Sequence, residues 1–134
     1  MERKKLFKTL AFLVILLFVL NHIASKFYLY YSLWWIDMPM HFLGGICAGL
    51  FMVWLLPSEN LFSELSWKYV FKIFLGVLLI GVLWEVFEII FNNIIAQISF
   101  DARDTIHDIS FDLSGGLYAI LYIIWKKQQK KLFA

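Results

Sequence analysis

Ionisable side chains enter the apolar stretches of this chain at a handful of positions, and each set is spaced to share one helix face. Asp37 and His41 are four apart, Glu85 and Glu88 three apart, and Asp104, Asp108 and Asp112 follow at successive intervals of four. Residues three or four apart project from the same side of a helix, so each set can point along one interior line. Carboxylate oxygens joined by one or two imidazoles are the ligand set of Mg²⁺, Mn²⁺ or Ca²⁺, or of a mixed site for Zn²⁺ or Fe²⁺. Such a group cannot be fully ionised in a dry pocket, because like charges and desolvation both oppose it; a bound cation, shared protons or basic partners must compensate. Arg103 is the one permanent cation beside this layer, with His41 and His107 as additions, which favours a cation or protons.

The reading that follows is a divalent metal held by Asp37, His41, Glu85, Asp108 and Asp112. Glu85, Glu88 and Asp108 form the catalytic set, Glu88 being the candidate general base. An ion there, next to lipid headgroups, is placed to polarise a phosphoryl or carbonyl oxygen and activate water. That is the chemistry of a metal-dependent hydrolase or transferase acting on a lipid or a cell-envelope precursor headgroup. Neither an H-E-x-x-H motif nor paired cysteines occur, so zinc is not specified over Mg²⁺, Mn²⁺ or Ca²⁺.

The elements that must position these groups are membrane spans. Of 134 residues, 62% are hydrophobic and 16% charged, well beyond the roughly 45–50% apolar content of soluble domains. About 20 apolar residues cross a ~30 Å hydrocarbon core, and backbone groups in lipid must bond within their own segment. The expected fold is therefore all-α: a single membrane domain over residues 1–134 with four transmembrane helices, near 6–23, 38–56, 69–91 and 106–125. Counted at 1.5 Å per residue from Trp54, Trp67 and Trp125, the acidic groups and His41 lie ~20–32 Å away, in one layer toward the opposite face. Ionisable groups at membrane depth cost at least ~2.5–3.5 kcal/mol each on insertion scales, so their default reading is functional.

Charge sets the orientation. Arg3, Lys4, Lys5 and Lys8, then Lys68 and Lys72, then Lys126, Lys127, Lys130 and Lys131 all fall on one side of a four-helix chain, the cytoplasmic side by the positive-inside rule. Both termini are then cytoplasmic and the acidic layer faces outward; the resemblance given below implies that the membrane is a bacterial inner membrane. Clustered this way, the lysines are no nucleic-acid signal. The outer segment Ser25–Ile36, with Phe27, Tyr28, Tyr30, Tyr31, Trp34 and Trp35, reads as an aromatic stretch lying in the headgroup zone. The first helix also has a signal peptide's basic start and apolar core, but its apolar run is long and no Ala-x-Ala precedes a cleavage point, so it is expected to be retained. Pro57 supplies a stop for the second helix, ahead of a short polar loop running to Trp67. Cys47 is the single cysteine, so there is no intrachain disulfide.

Small residues mark the packing faces: Gly44, Gly45, Ala48 and Gly49; Gly76 and Gly81; Ser114, Gly115 and Gly116. They let backbones approach closely in lipid, and Gly45–Gly49 fits G-x-x-x-G, a pattern that serves either internal packing or a homo-oligomer. Plainer roles compete for some of the polar residues. Asp37 and Asp104 stand where helix caps are expected, Asp101 and His107 read as solvated helix-start residues, and His22 reads as an interface residue. Two other function classes also stand: a proton- or cation-coupled carrier or channel subunit using Glu85, Glu88, Asp108 and Asp112, and a non-enzymatic assembly or resistance factor.

The order Asp37-x-x-x-His41-Phe42 with Gly45, then Trp84-Glu85-x-x-Glu88, then Asp104-Thr105-x-x-Asp108-x-x-x-Asp112 before Gly115-Gly116, resembles the small bacterial VanZ-like and YjdF-like inner-membrane proteins. The resemblance runs from about Asp37 to Gly116 and implies a polytopic envelope protein. VanZ-like members are associated with glycopeptide (teicoplanin) resistance. That function is not carried over, because Asp112 stands where the family tends to have Asn and its Glu-x-x-Gln is missing.

Overall fold

A computed structural model describes residues 3–56, 66–96 and 100–132, and every regular element among them is helical. The chain runs α1 (Arg3–Lys26), a short α2 (Leu29–Ser32), α3 (Asp37–Leu55), α4 (Trp67–Phe91), a π-helical turn (Asn92–Ala96) and α5 (Ala102–Leu132). Helices α1 and α5 overrun the apolar segments expected at 6–23 and 106–125 at both ends, because the hydrogen-bond ladder continues into the flanking polar residues, whereas α3 and α4 keep within two residues of theirs. Pro39 is tolerated in the first turn of α3, where its missing N–H has no intrahelical partner to lose. The loop beginning at Pro57 lies outside the described residues.

Among the described residues three helices are long and apolar enough to cross a membrane: α1, α3, and α4 with most of the π turn. Helix α5 is not among them, so a fourth span does not follow from length and apolarity alone. The physical reason is that Asp104, Asp108 and Asp112 dilute the apolar content of its first three turns.

Each long helix buries one stripe and presents the rest outward. On α5 the stripe is Asp108, Asp112, Gly115, Gly116, Ala119, Ile120 and Ile123, a repeat of three and four. On α4 it is Ile73, Gly76, Val77, Gly81 and Glu85. The other faces carry large exposed apolar residues such as Phe12, Phe18, Leu79, Leu83, Phe87 and Leu121. Lipid tails solvate Leu as well as a protein core does, so association rests on close packing rather than on hydrophobic burial.

That packing is tightest between α3 and α5, the most extensive interface of the fold. A Cβ added at Gly45 would fall on the backbone carbonyl of Asp112, and one at Gly115 on the carbonyl oxygen of Phe42. One turn further along, Gly49 lies against Gly116 and Ala119. Gly116 in turn abuts Val77, which brings α4 onto the same seam. Helix α1 joins at the far end: the Arg3 guanidinium donates to the Trp54 carbonyl oxygen at 2.8 Å and lies over the Trp54 ring. The start of α1 and the end of α3 thus share one end of the bundle. The start of α3 and the end of α4 lie at the other.

Candidate functional site

The stripes of α3, α4 and α5 become polar at the same end, and the polar residues meet there. His41, one turn into α3, is the hub. Its Nε2 lies 3.8 Å from Asp37 Oδ1, 3.9 Å from Glu85 Oε1 and 3.8 Å from Asp108 Oδ2, and its Nδ1 lies 3.5 Å from Asp112 Oδ2. His41, Glu85, Asp108 and Asp112 are each only 4–6% exposed, whereas Asp37 is partly open. Four carboxylates from three helices therefore converge on a single imidazole.

Glycines make the room for this. The Asp112 carboxylate fits between α3 and α4 because Gly44 and Gly81 carry no side chain; a Cβ at Gly81 would stand 2.7 Å from Asp112 Oδ2. The seam that draws α5 onto α3 therefore also seats Asp112 beside His41.

The distances have a chemical meaning. At 3.5–3.9 Å the nitrogen–oxygen pairs are too long for hydrogen bonds, which run ~2.7–3.2 Å. Atoms sharing an ion at ~2.1 Å bond lengths stand roughly 3.0–3.4 Å apart, close to this spacing. Two overlapping sets, Asp37–His41–Asp108 and His41–Glu85–Glu88, each offer ligand atoms within 4.8 Å of one another. Glu85 Oε1 is buried with no hydrogen-bond partner, one of two such side-chain atoms among the described residues, the other being Tyr69 Oη. A carboxylate oxygen buried without a donor is costly unless a cation or a proton meets it.

Beside the hub, a cavity of about 100 Å³ opens outward between α4, the π turn and the start of α5. Its lining includes Glu85 and Asp108, which are buried, together with Glu88, Asp104, Thr105, Asn92, Asn93 and Phe100. Glu88 is half-buried and Asp104 exposed. The π turn widens the helix where Asn92 and Asn93 face the cavity, and π turns are often found at functional positions.

The competing structural roles sort themselves out in the same region. The residue before α3 is Ile36, which makes no side-chain cap, and Asp37 lies in the first turn facing His41. At α5 the cap is Asp101, whose Oδ1 accepts the Arg103 backbone N–H at 2.9 Å, while Asp104 lines the cavity. His22, Arg103 and His107 are exposed.

Tyr30 of α2 escaped the sequence reading as more than an aromatic-belt residue. Its hydroxyl donates to Asn21 Oδ1 at 2.5 Å, and burial together with the nearby Asp37 and Glu88 carboxylates pushes its phenol up to about 12. The chain reaches this position through Tyr28, which adopts the left-handed conformation (φ 54°) rarely taken by bulky residues. No local pattern signals that fold-back. Asn92 could have been found, since it continues the spacing of Glu85 and Glu88 by one further turn.

A bundle of apolar helices enclosing one polar cluster defines an integral membrane protein. Residues 1–129 match the model of a family described as "Predicted membrane protein (DUF2238)", and the chain belongs to that family. No curated protein and no solved structure matches it.

Proposed function

We propose that this protein holds a divalent cation in an outward-facing carboxylate–histidine site and uses it on a lipid or cell-envelope precursor headgroup. The observation that carries the reading is the hub geometry: three carboxylate oxygens at nearly equal distance from His41 Nε2, with Glu85 Oε1 buried and unpartnered. Asp37, His41, Glu85 and Asp108 are the ligand set around Nε2, with Asp112, proposed from the sequence as a fifth ligand, lying on the Nδ1 side where it orients the imidazole; the oxygen-rich composition suits Mg²⁺, Mn²⁺ or Ca²⁺, with Zn²⁺ accommodated by the imidazole. Such an ion would supply Lewis-acid polarisation of a phosphoryl or carbonyl oxygen. Glu88, half-buried on the cavity wall, is positioned to take a proton from a nucleophile in the cavity, with Glu85 and Asp108 fixing the reacting group.

This reading treats residues 1–134 as one domain and α5 as a fourth span. At 31 residues α5 is roughly 46 Å long, and its two innermost carboxylates, Asp108 and Asp112, are turned away from lipid. Four crossings put the three lysine-rich groups on the cytoplasmic side, leaving Lys26 and Arg103 with the acidic cluster on the outer one, which fits the envelope setting implied by the VanZ-like and YjdF-like resemblance. A carrier would need a polar route inward. Below Asp112 the interior is lined by Leu50, Val53, Ile73, Val77, Ile120 and Ile123, which favours a closed-ended site.

The test is ion content. Protein purified in detergent, stripped with chelator and exposed in turn to Mn²⁺, Mg²⁺, Ca²⁺ and Zn²⁺ is expected to retain about one ion per chain. His41→Ala and Asp108→Asn are expected to lose it. Absence of a stoichiometric ion from the wild-type protein under all four conditions would refute the proposal.

A further inference from the structure

Hydroxyl side chains on the long helices mostly serve their own helix. Thr9, Ser110 and Ser114 each donate to the carbonyl oxygen four residues back, the ordinary local bond of Ser and Thr within a helix. Thr105 does otherwise. Its hydroxyl crosses from the first turn of α5 to the carboxylate of Glu85 on α4. The backbone at this point is tied down, since the Asp101 carboxylate accepts the Arg103 N–H at 2.9 Å and the Asp101 carbonyl accepts the Thr105 N–H at 3.3 Å.

Two observations on Glu85 then fit together. Its Oε1 is buried without a hydrogen-bond partner, so the bond from Thr105 falls on Oε2. Oε1 stands 3.9 Å from His41 Nε2 in a residue 5% exposed, so the oxygen left without a donor is the one that faces the hub. The two oxygens of one carboxylate thus have different tasks. With Oε2 held from α5, Glu85 cannot turn both oxygens toward the point it shares with Asp37 Oδ1, Asp108 Oδ2 and His41 Nε2.

We infer that Thr105 is a positioning residue that restricts Glu85 to a single ligand atom and so selects a small six-coordinate ion, Mg²⁺ or Mn²⁺, over Ca²⁺. The inference rests on the metal reading given above. Asp37 Oδ1, His41 Nε2, Glu85 Oε1 and Asp108 Oδ2 each offer one atom, which leaves room in an octahedron for water or a substrate oxygen. Ca²⁺ takes about six to eight oxygens at longer range, often both oxygens of one carboxylate. Selectivity between the two kinds of ion follows ligand number and flexibility, and a hydroxyl fixed on Oε2 limits both. Partners of this kind, outside the ligand set itself, orient the ligands and tune affinity.

The experiment strips detergent-solubilised full-length protein with chelator and titrates Mn²⁺ and Ca²⁺ separately by calorimetry, into the wild type, Thr105→Val, Thr105→Ala and Thr105→Ser. The wild type is expected to bind Mn²⁺ at least about tenfold more tightly than Ca²⁺. Thr105→Val keeps nearly the same shape without the donor and is expected to lower that ratio about three- to tenfold, while Thr105→Ser, which keeps the hydroxyl, holds it at the wild-type value. Should the valine variant fail to fold, Thr105→Ala removes the same donor without bulk and carries the same expectation. A ratio unchanged in the valine and alanine variants overturns the inference, and that includes equal weakening of both ions, the result of a merely structural role. A serine variant that loses the preference as the others do, or a wild type that favours Ca²⁺, overturns it as well. Wild-type protein that binds neither ion sinks the metal reading and this one with it, whereas a bound ion with an unchanged ratio sinks this one alone.

Discussion

His41 Nδ1 stands 3.5 Å from Asp112 Oδ2, and the glycine one turn on from His41, Gly45, lies directly against the backbone carbonyl of the same aspartate. The seam that brings α3 and α5 together is therefore continuous with the site. Disturbing one must disturb the other.

Gly45→Ala and Gly115→Ala test that continuity. Each new Cβ would meet a backbone atom of the facing helix, Asp112 in one case and Phe42 in the other, and backbone cannot step aside without separating the helices. Overpacking of this kind costs about 1–3 kcal/mol or more. Both variants are expected to unfold at lower temperature in detergent and to lose ion binding together with the loss of stability. Wild-type melting in either variant would show that the helices are not in close contact.

Gly81→Ala makes an informative contrast. Its Cβ would meet the end of the Asp112 side chain, which can rotate, rather than fixed backbone. The helices should keep their places while the carboxylate is displaced. The expected outcome is a small change in melting temperature with ion affinity lowered about tenfold or more, measured by titration into stripped protein.

Removal of the ion should itself destabilise the protein. With the cation gone, buried carboxylates face one another across His41 uncompensated. At an ion concentration one hundred times its dissociation constant, binding contributes about 2.7 kcal/mol to the folded state. Chelator is expected to lower the melting temperature of the wild type and leave that of His41→Ala unchanged. An equal shift in both proteins would mean the chelator acts elsewhere.

Tyr30 predicts a pH effect well away from the ordinary carboxylate range. Its phenol is raised from 10.0 to about 12, by burial first and then by the Asp37 and Glu88 carboxylates. The folded protein therefore holds this proton where the unfolded chain has released it. The associated stability is fully present below pH 10 and is lost as pH rises through about 12. In difference spectra against Tyr30→Phe, the phenolate band belonging to Tyr30 should appear only near pH 12; a midpoint at the ordinary tyrosine value would place the side chain in open solvent.

Topology can be read by thiol labelling. Cys47 is buried and is the single cysteine of the chain, so Cys47→Ser gives a clean background. A cysteine placed at Ser25 is expected to react with a membrane-impermeant maleimide added to intact cells, and one at Gln128 only after lysis. The reverse pattern would turn the acidic cluster toward the cytoplasm.

The residue types and their spacing, by themselves, determined much of this molecule. Apolar content required helices, runs of about twenty residues located α1, α3 and α4, and intervals of three and four put Asp37 with His41, Glu85 with Glu88, and Asp108 with Asp112 on common faces. Helical periodicity is a local property, so one strand of sequence suffices to reveal it. It also led to the expectation of a fourth span at 106–125, which the length and apolarity of α5 do not single out, since its aspartates lower the apolar content. It could not tell that Asp101 rather than Asp104 caps α5, that the Tyr30 hydroxyl reaches Asn21, or that Asn92 and Thr105 share a cavity with Glu88. Those relations depend on how far helices approach and at what height they register. That is decided by contacts such as Gly45 on Asp112 and Gly116 on Val77, between residues far apart in the chain, where only the packed structure brings the two surfaces together.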